Sequence, residues 1–435
     1  MRSERRLIQE AFRFELDPNR EQGVLLAKSV GASRYVYNWG LAESKRQYEL
    51  TGKRPRLGDL KAQLVALKQS DAPWLYEVSA HIGQSALKDL NHAFERFFKG
   101  VKGEGPKAGY PRFKKKGERD SARLYEVTLE ERHLRMPNIG RVRLKETRRE
   151  RGFDGRVLAA TISRRADRWF VSVTVERERE IVAPKSVTRS SDVGGVDLGL
   201  ANAAVIHDGT SARVVEPQRA LRKNLARLRR LDRRLARKQK RSANREKAKL
   251  RRARLYYRVS CQRQEMLHQL SSELARTKRV IVLEDLHVRG MQRNKHLAFS
   301  ISDAGMSELR RQLAYKSEWY GSSLIVADRF FPSSKLCSGC GTIRDTLDLS
   351  ERVFDCDVCG VSIDRDENAA LNLHRLGLSV VGLPVDRREV TPVERKALTL
   401  APAGVKPASL KQEATADSTR CSTRRSTPKD VLVRV

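Results

Sequence analysis

GGVDLGLANAAVIHDG (residues 194–209) reads as two strands joined by a tight turn, with one acid, Asp197, set into an otherwise apolar run. A charge amid a buried strand is costly to leave unpaired, so Asp197 needs an Arg, a Lys or a metal ion beside it. RVIVLEDL (279–286) is a continuous apolar run ending in acids, as expected of a buried central strand, and it places Glu284 at its end. SSLIVAD (322–328) repeats the pattern. DENAALNLHRLG (366–377) has helical spacing and a terminal Gly, giving one short helix that Asp366 opens. Taken singly, each acid reads as an N-cap, a turn acid or half of a salt bridge. Taken together, three carboxylates on rigid elements suit phosphodiester hydrolysis with two Mg2+ ions, which stabilise both the attacking and the leaving oxygens.

A second motif lies between the last of those strands and the helix. Cys337-Ser-Gly-Cys340 and Cys356-Asp-Val-Cys359 give C-x2-C, fifteen intervening residues and C-x2-C, each pair in a Gly-containing turn. Two such knuckles can place four thiolates tetrahedrally around Zn2+ at about 2.3 Å. Four of the six cysteines fall in this window, which argues against a dispersed disulfide framework. The start, MRSERRLIQEAFRF, has no apolar signal-peptide core either. With four sulfurs the site is closed to substrate, so the zinc is expected to be structural. Of the remaining cysteines, Cys261 reads as a small core residue in a helix, and Cys421 has no assigned role.

The chain carries 88 Lys and Arg against 53 Asp and Glu in 435 residues, a formal +35 that repels itself unless a polyanion neutralises it. A large nucleic-acid surface follows. No apolar run approaches the ~20 residues needed to span a bilayer, so no membrane partner is expected and the protein should be cytoplasmic and nucleoid-associated. Residues 8–17 read as a strand, and a helical region runs from about Glu21 to Lys99 with breaks at Gly52 and Pro73. Its aromatics (Tyr35, Tyr37, Trp39, Trp74, Phe98) are interleaved with Arg and Lys, a mix suited to base stacking, although most of them are expected in the core. Residues 100–117, rich in Gly, Pro and Lys, form a basic loop. Short strand-like segments between 123 and 176 then suggest a small barrel or sheet that also uses the first strand, with the helical region inserted into it. Residues 218–277 set Leu221, Leu225, Leu228 and Leu235 on one face under a cover of Arg and Lys, a long amphipathic helix or helical hairpin. Only Asp232 and Glu246 accompany the cations between Arg219 and Arg258, so the expected use of that surface is phosphate contact.

On GVDLGL, LEDL, SDAGMSELRRQLAYKSEWYG (302–321), FPSSKLCSGCG, CDVCG and DRDENAALNL, the chain resembles TnpB, the transposon-encoded RNA-guided nucleases of insertion sequences related to compact type V CRISPR effectors. SRYVYNWGL, YPRFKKKG, MPNIGRVRL and DRWFVSV add weaker support, and the resemblance covers most of residues 8–376. It implies a multidomain α+β protein. An oligonucleotide-binding-like β-barrel wedge domain (1–20 and 106–182) would carry a helical recognition lobe (21–105). An RNase H-like, RuvC-type α/β nuclease domain (190–325 and 361–376) would follow, with a basic helical insertion (218–277) and a zinc ribbon (326–360). The remaining 377–435 read as a largely disordered tail.

The resemblance further implies that Asp197, Glu284 and Asp366 are the catalytic Mg2+ ligands, Asp366 being chosen over Asp364 by the pattern D-x-N-A-A. The implied partners are a guide RNA from the transposon end and target double-stranded DNA with a short adjacent motif. Base pairing would supply sequence choice while basic surfaces hold the heteroduplex by shape and backbone. A monomer is the expected state. Two rivals to an Mg2+-dependent RNA-guided DNA endonuclease remain at this point. One is a guided repressor or transposition accessory protein that never cuts, against which the intact acids weigh. The other is a DDE-type transposase, which also uses three acids, although the order Asp, Glu, Asp looks like RuvC.

Overall fold

The computed structural model describes residues 5–118, 120–146, 155–180, 182–184, 186–348 and 350–385. The tail from 386 onward, with Cys421, lies outside the described residues. The chain forms two compact units, one of residues 5–179 and one from Glu180 onward.

In the first unit, β1 (Arg5–Asp17) leads into α1 (Arg20–Thr51), α2 (Leu57–Gln69) and α3 (Ala80–Val101). Six strands follow: β2 (Ser121–Leu124), β3 (Thr128–Leu129), β4 (His133–Met136), β5 (Gly140–Leu144), β6 (Arg156–Arg165) and β7 (Arg168–Glu180). Asn19 starts α1 with a reciprocal pair: its Oδ1 accepts the Gln22 N–H at 2.8 Å, and Gln22 Oε1 accepts the Asn19 N–H at 3.1 Å. Gly52, at φ 68°, ends the helix in the left-handed conformation that glycine adopts without strain.

The seven strands pair in the order β2-β6-β7-β1-β5-β4-β3. This is an open sheet, which corrects the expected closed barrel. Closure requires the two end strands to hydrogen-bond to each other. Here they are four and two residues long, and β2 packs against α1 and α3 instead. Leu26, Val30 and Val36 of α1 and Ile82, Leu87 and Leu90 of α3 share one core with Phe14, Leu134, Val142 and Val171. Each such side chain contributes on the order of 1.5–3 kcal/mol by leaving water. The aromatics divide: Tyr37 is buried and Trp39 packs on that core, but Tyr35, Trp74 and Phe98 are exposed. The expectation that most would be core residues therefore fails for three of the five.

The second unit opens with β8 (Val193–Asp197), β9 (Ala204–His207) and β10 (Ala212–Val215). The basic stretch is a helical hairpin, α4 (Ala220–Ala236) and α5 (Ala243–Thr277). Then come β11 (Val280–Leu283), α6 (Val288–Met291), α7 (Ala298–Ala304), α8 (Met306–Tyr320), β12 (Ser323–Val326), β13 (Val353–Asp355), β14 (Ser362–Asp364) and α9 (Arg365–Val380). Five strands pair in the order β10-β9-β8-β11-β12, with β8, β11 and β12 parallel and β9 antiparallel to β8. This mixed sheet is consistent with the RuvC-like domain that the resemblance implies. β8 and β9 are separated by residues 198–203, a longer loop than the tight turn expected.

Period-two alternation gives each face of this sheet its own cover. Val196, Ile281 and Leu283 pack with Leu267, Leu270 and Leu274 of α5 and Leu309 and Leu313 of α8. Val193, Val280 and Val282 pack with Leu373 and Leu378 of α9 on the other side. Gly377 does not end α9 as expected. It lies inside the helix, where a Cβ would come 2.6 Å from Val193 Cγ1 and 2.7 Å from Val282 Cγ2, so its bareness lets helix and sheet meet. The helical part of the chain thus extends past the expected start of the tail. Cys261, expected in the core, is exposed on α5, because a helical context alone does not say which side of the helix a residue faces. Among the described residues no helix is long and apolar enough to cross a membrane.

Candidate active site and metal centre

Val196 of β8 stands in register with Leu283 of β11, so Asp197 and Glu284 follow side by side where two parallel strands end. Both share the face of Val193 and Val282, four and two residues back respectively, which is the face that α9 covers. The third acid arrives from that helix. Gly195 touches α9 so closely that a Cβ would lie 2.1 Å from Ala370 O and 2.3 Å from His374 N. Two residues along β8 advance about 6.6 Å and four residues back along α9 about 6 Å, which carries Asp197 toward Asp366. Three acids separated by 87 and 82 positions thus face one space.

Their electrostatics reflect the crowding. Asp197 is held well above its ordinary pKa, first by burial, then by Glu284 and Asp366, with Arg365 opposing. Glu284 is raised too, by burial and by Asp366, with the Ser333 hydrogen bond opposing. Arg310 and Arg329 are engaged away from these two. Asp285, the next residue along and on the opposite face, accepts from Arg310 and from Arg329 Nη2 at 2.7 Å. Arg365 Nη2 lies 3.4 Å from Asp366 Oδ1, a long contact between chain neighbours. Asp364 caps α9: its Oδ1 accepts the Asp366 N–H at 2.9 Å and the Glu367 N–H at 3.1 Å.

Other residues complete the site. Ser333 Oγ donates to Glu284 Oε1. Asn202, in the loop after β8, has its Nδ2 3.5 Å from Asp366 Oδ2. Neither had a signal in the sequence beyond membership of quoted motifs, because both act across folds of the chain. Asn368 and Asn372, one turn apart on α9, were readable as one polar edge of an apolar helix. Asn368 Nδ2 donates to Leu336 O at 2.8 Å, and Asn372 Nδ2 to Ser333 O at 2.8 Å and Leu336 O at 2.6 Å.

The four cysteines gather as their spacing predicts. Their sulfurs lie within 4.8 Å of one another, with Cys337 and Cys359 Sγ 3.5 Å apart and Cys340 and Cys356 Sγ 3.6 Å apart. A disulfide would bring sulfurs to about 2.05 Å. Tetrahedral thiolates at about 2.3 Å from zinc stand about 3.8 Å apart, so the set fits Zn2+. Among the described residues this is the one group of three or more Cys, His or acidic ligand atoms drawn closely enough to share an ion; the three carboxylates are not drawn to that spacing. Cys356→Ser is expected to abolish one equivalent of bound zinc and to melt the segment between the knuckles first. Zinc analysis of the purified variant together with proteolysis near residues 341–355 checks this, and full zinc content would contradict it.

The OrfB_IS605 family, described as a probable transposase, matches residues 170–295. A Cas12f1-like TNB domain matches 307–373, the stretch holding the cysteines and Asp366. A helix-turn-helix domain of the same OrfB group matches 8–53, which fold here as β1 and α1. A Streptomyces pristinaespiralis protein named as an RNA-guided DNA endonuclease is 36% identical, over 86% of this chain and 90% of its own length. The Escherichia coli K12 protein InsQ, named likewise, is 32% identical over 86% of this chain and 93% of its own. A solved Cas12f1–sgRNA–target DNA complex covers 85% of this chain and 100% of its own at 16% identity and a TM-score of 0.34, a distant likeness from which nothing is carried over. The class is that of transposon-type proteins with an OrfB core and a cysteine-bearing TNB segment. Within that class, the chain belongs to the TnpB family.

Proposed function

We propose that the protein is an RNA-guided DNA endonuclease that hydrolyses phosphodiesters with two divalent cations held by Asp197, Glu284 and Asp366. The observation that carries this reading is the approach of Asp366, at the start of α9, to Asp197 and Glu284 at the ends of two parallel strands, with Asp197 and Glu284 raised in pKa by burial and by their acidic neighbours. Its relatives' names point the same way. The donor set is oxygen only, which suits Mg2+ over softer ions. When bound, such ions would stabilise charge on the attacking and leaving oxygens. The chain's own contribution is placement: two parallel strand ends and one capped helix start hold the carboxylates, and the β8–α9 contact at Gly195 sets their spacing. Four thiolates binding zinc would fix the ribbon (326–360) beside this site without taking part in chemistry.

The remaining parts follow the family's division of labour. The first unit would supply the wedge (1–20 and 106–182) and the recognition lobe (21–105), and the basic α4–α5 hairpin would hold RNA or heteroduplex by its backbone. A transposon-end transcript would be the guide, with a short motif beside the target read by the protein. Sequencing RNA that copurifies with the protein, and then supplying a plasmid with a matched site, tests the whole. A discrete transcript and a Mg2+-dependent break are expected; a guided complex that leaves the plasmid whole would mean a binding protein that does not cut.

Guide affinity should fall about 10³-fold or more between 50 and 200 mM salt, as for proteins that neutralise six or more phosphates. Filter binding across that range measures it, and a flat titration would remove the hairpin from the RNA interface.

A further inference from the structure

Ser333 is 3% exposed, and its hydroxyl donates to Glu284 Oε1. Its own position is fixed from several directions. Its carbonyl accepts from Asn372 Nδ2 at 2.8 Å, and its N–H donates to Phe331 O at 2.9 Å. Three residues on, Leu336 O is held by both Asn368 and Asn372, and Asn368 Oδ1 accepts the Ser338 N–H of the first cysteine knuckle at 3.0 Å. The segment 333–338 is thus strapped to α9, the helix that carries Asp366. Both asparagines are nine-tenths or more buried, at 0% and 2% exposure, so these hydrogen bonds are not open to competition from water.

Glu284 needs such a fixed donor. It follows the last residue of β11, and its side chain has more rotatable bonds than that of Asp197, so it loses more rotamer freedom on being held in one pose. A hydroxyl proton on one carboxylate oxygen fixes the rotamer and leaves the other oxygen free to ligate a cation.

We infer that Ser333 is a positioning residue for Glu284, setting divalent-cation affinity by holding one carboxylate oxygen from a segment braced against α9. The inference rests on Glu284 being a metal ligand, as proposed above. Partners of metal ligands typically contribute 10–100-fold in metal affinity when removed.

The test titrates Mn2+ into the full-length, zinc-loaded protein by calorimetry, with no nucleic acid present. S333A should bind Mn2+ about 10-fold more weakly, with its melting temperature near that of the parent. S333T, which keeps a hydroxyl, should recover most of the affinity; a merely structural role for Ser333 would leave Mn2+ affinity unmoved in both. Wild-type affinity in S333A overturns the inference. E284A separates the two levels. If E284A loses Mn2+ binding while S333A keeps it, the positioning role alone fails; if E284A binds Mn2+ like the parent, the metal site itself has been misassigned.

Discussion

Asp197→Ala is expected to keep guide and target binding while cleavage falls by roughly 10³-fold or more. Ligands to a catalytic ion support several kcal/mol of transition-state charge stabilisation, and about 4 kcal/mol is that factor. Glu284→Ala should behave alike. Single-turnover cleavage of a matched plasmid beside a gel-shift titration measures both halves, and a variant cutting at the parent's rate would refute the assignment. The isosteric Asp197→Asn sharpens the case through stability. Asp197 is buried among acids and its folded-state pKa is raised, so stability is lost as pH rises from the ordinary 3.8 and the full penalty is present above the raised value. Asn is neutral throughout. Without added Mg2+, Asp197→Asn should therefore melt higher than the parent at neutral pH. The gap should shrink as pH falls through the raised value and vanish below the ordinary 3.8, where both side chains are uncharged. A variant that loses cutting and gains stability marks a site that trades one for the other.

Much of that site could be read before the fold was known. β8 announces itself as an apolar run carrying one acid and β11 as one ending in two, and period-two spacing forces Asp197 onto the face of Gly195 and Val193. The cysteine spacing defines its centre because ligand geometry is local. What escaped is non-local. Whether the first sheet closes depends on what covers β2, and no strand's own sequence states that α1 and α3 do so. Gly377 carries the signature of a helix end but serves as a flat contact on Val193 and Val282. Ser333 is one serine in a motif read for its cysteines, and its reach to Glu284 exists only once the segment after β12 folds back over β11. Choosing Asp366 over Asp364 came from a pattern; in the structure Asp364 caps α9, a role that the pattern does not state.

Gly195→Ala tests the joint between β8 and α9 directly. The added methyl would meet Ala370 O at 2.1 Å and His374 N at 2.3 Å, main-chain atoms inside α9 that cannot rotate aside. Overpacking costs about 1–3 kcal/mol where side chains can give way, so a clash with helix backbone should cost about 3 kcal/mol or more. For a unit of this size that is roughly 6–12 °C in melting temperature, at about 2–4 °C per kcal/mol. Gly23→Ala is the control: nothing lies within 4 Å of a Cβ there, and better helix propensity should raise stability by up to about 1 kcal/mol. Cleavage should fall with stability in Gly195→Ala, because lifting α9 also draws Asp366 away from Asp197. That pairing of losses is the opposite of what Asp197→Asn should show, where the helix stays seated and only the charge goes. Thermal unfolding of both variants, followed by near-UV circular dichroism, distinguishes them, and an unchanged midpoint for Gly195→Ala would mean that α9 does not rest on β8 at this distance.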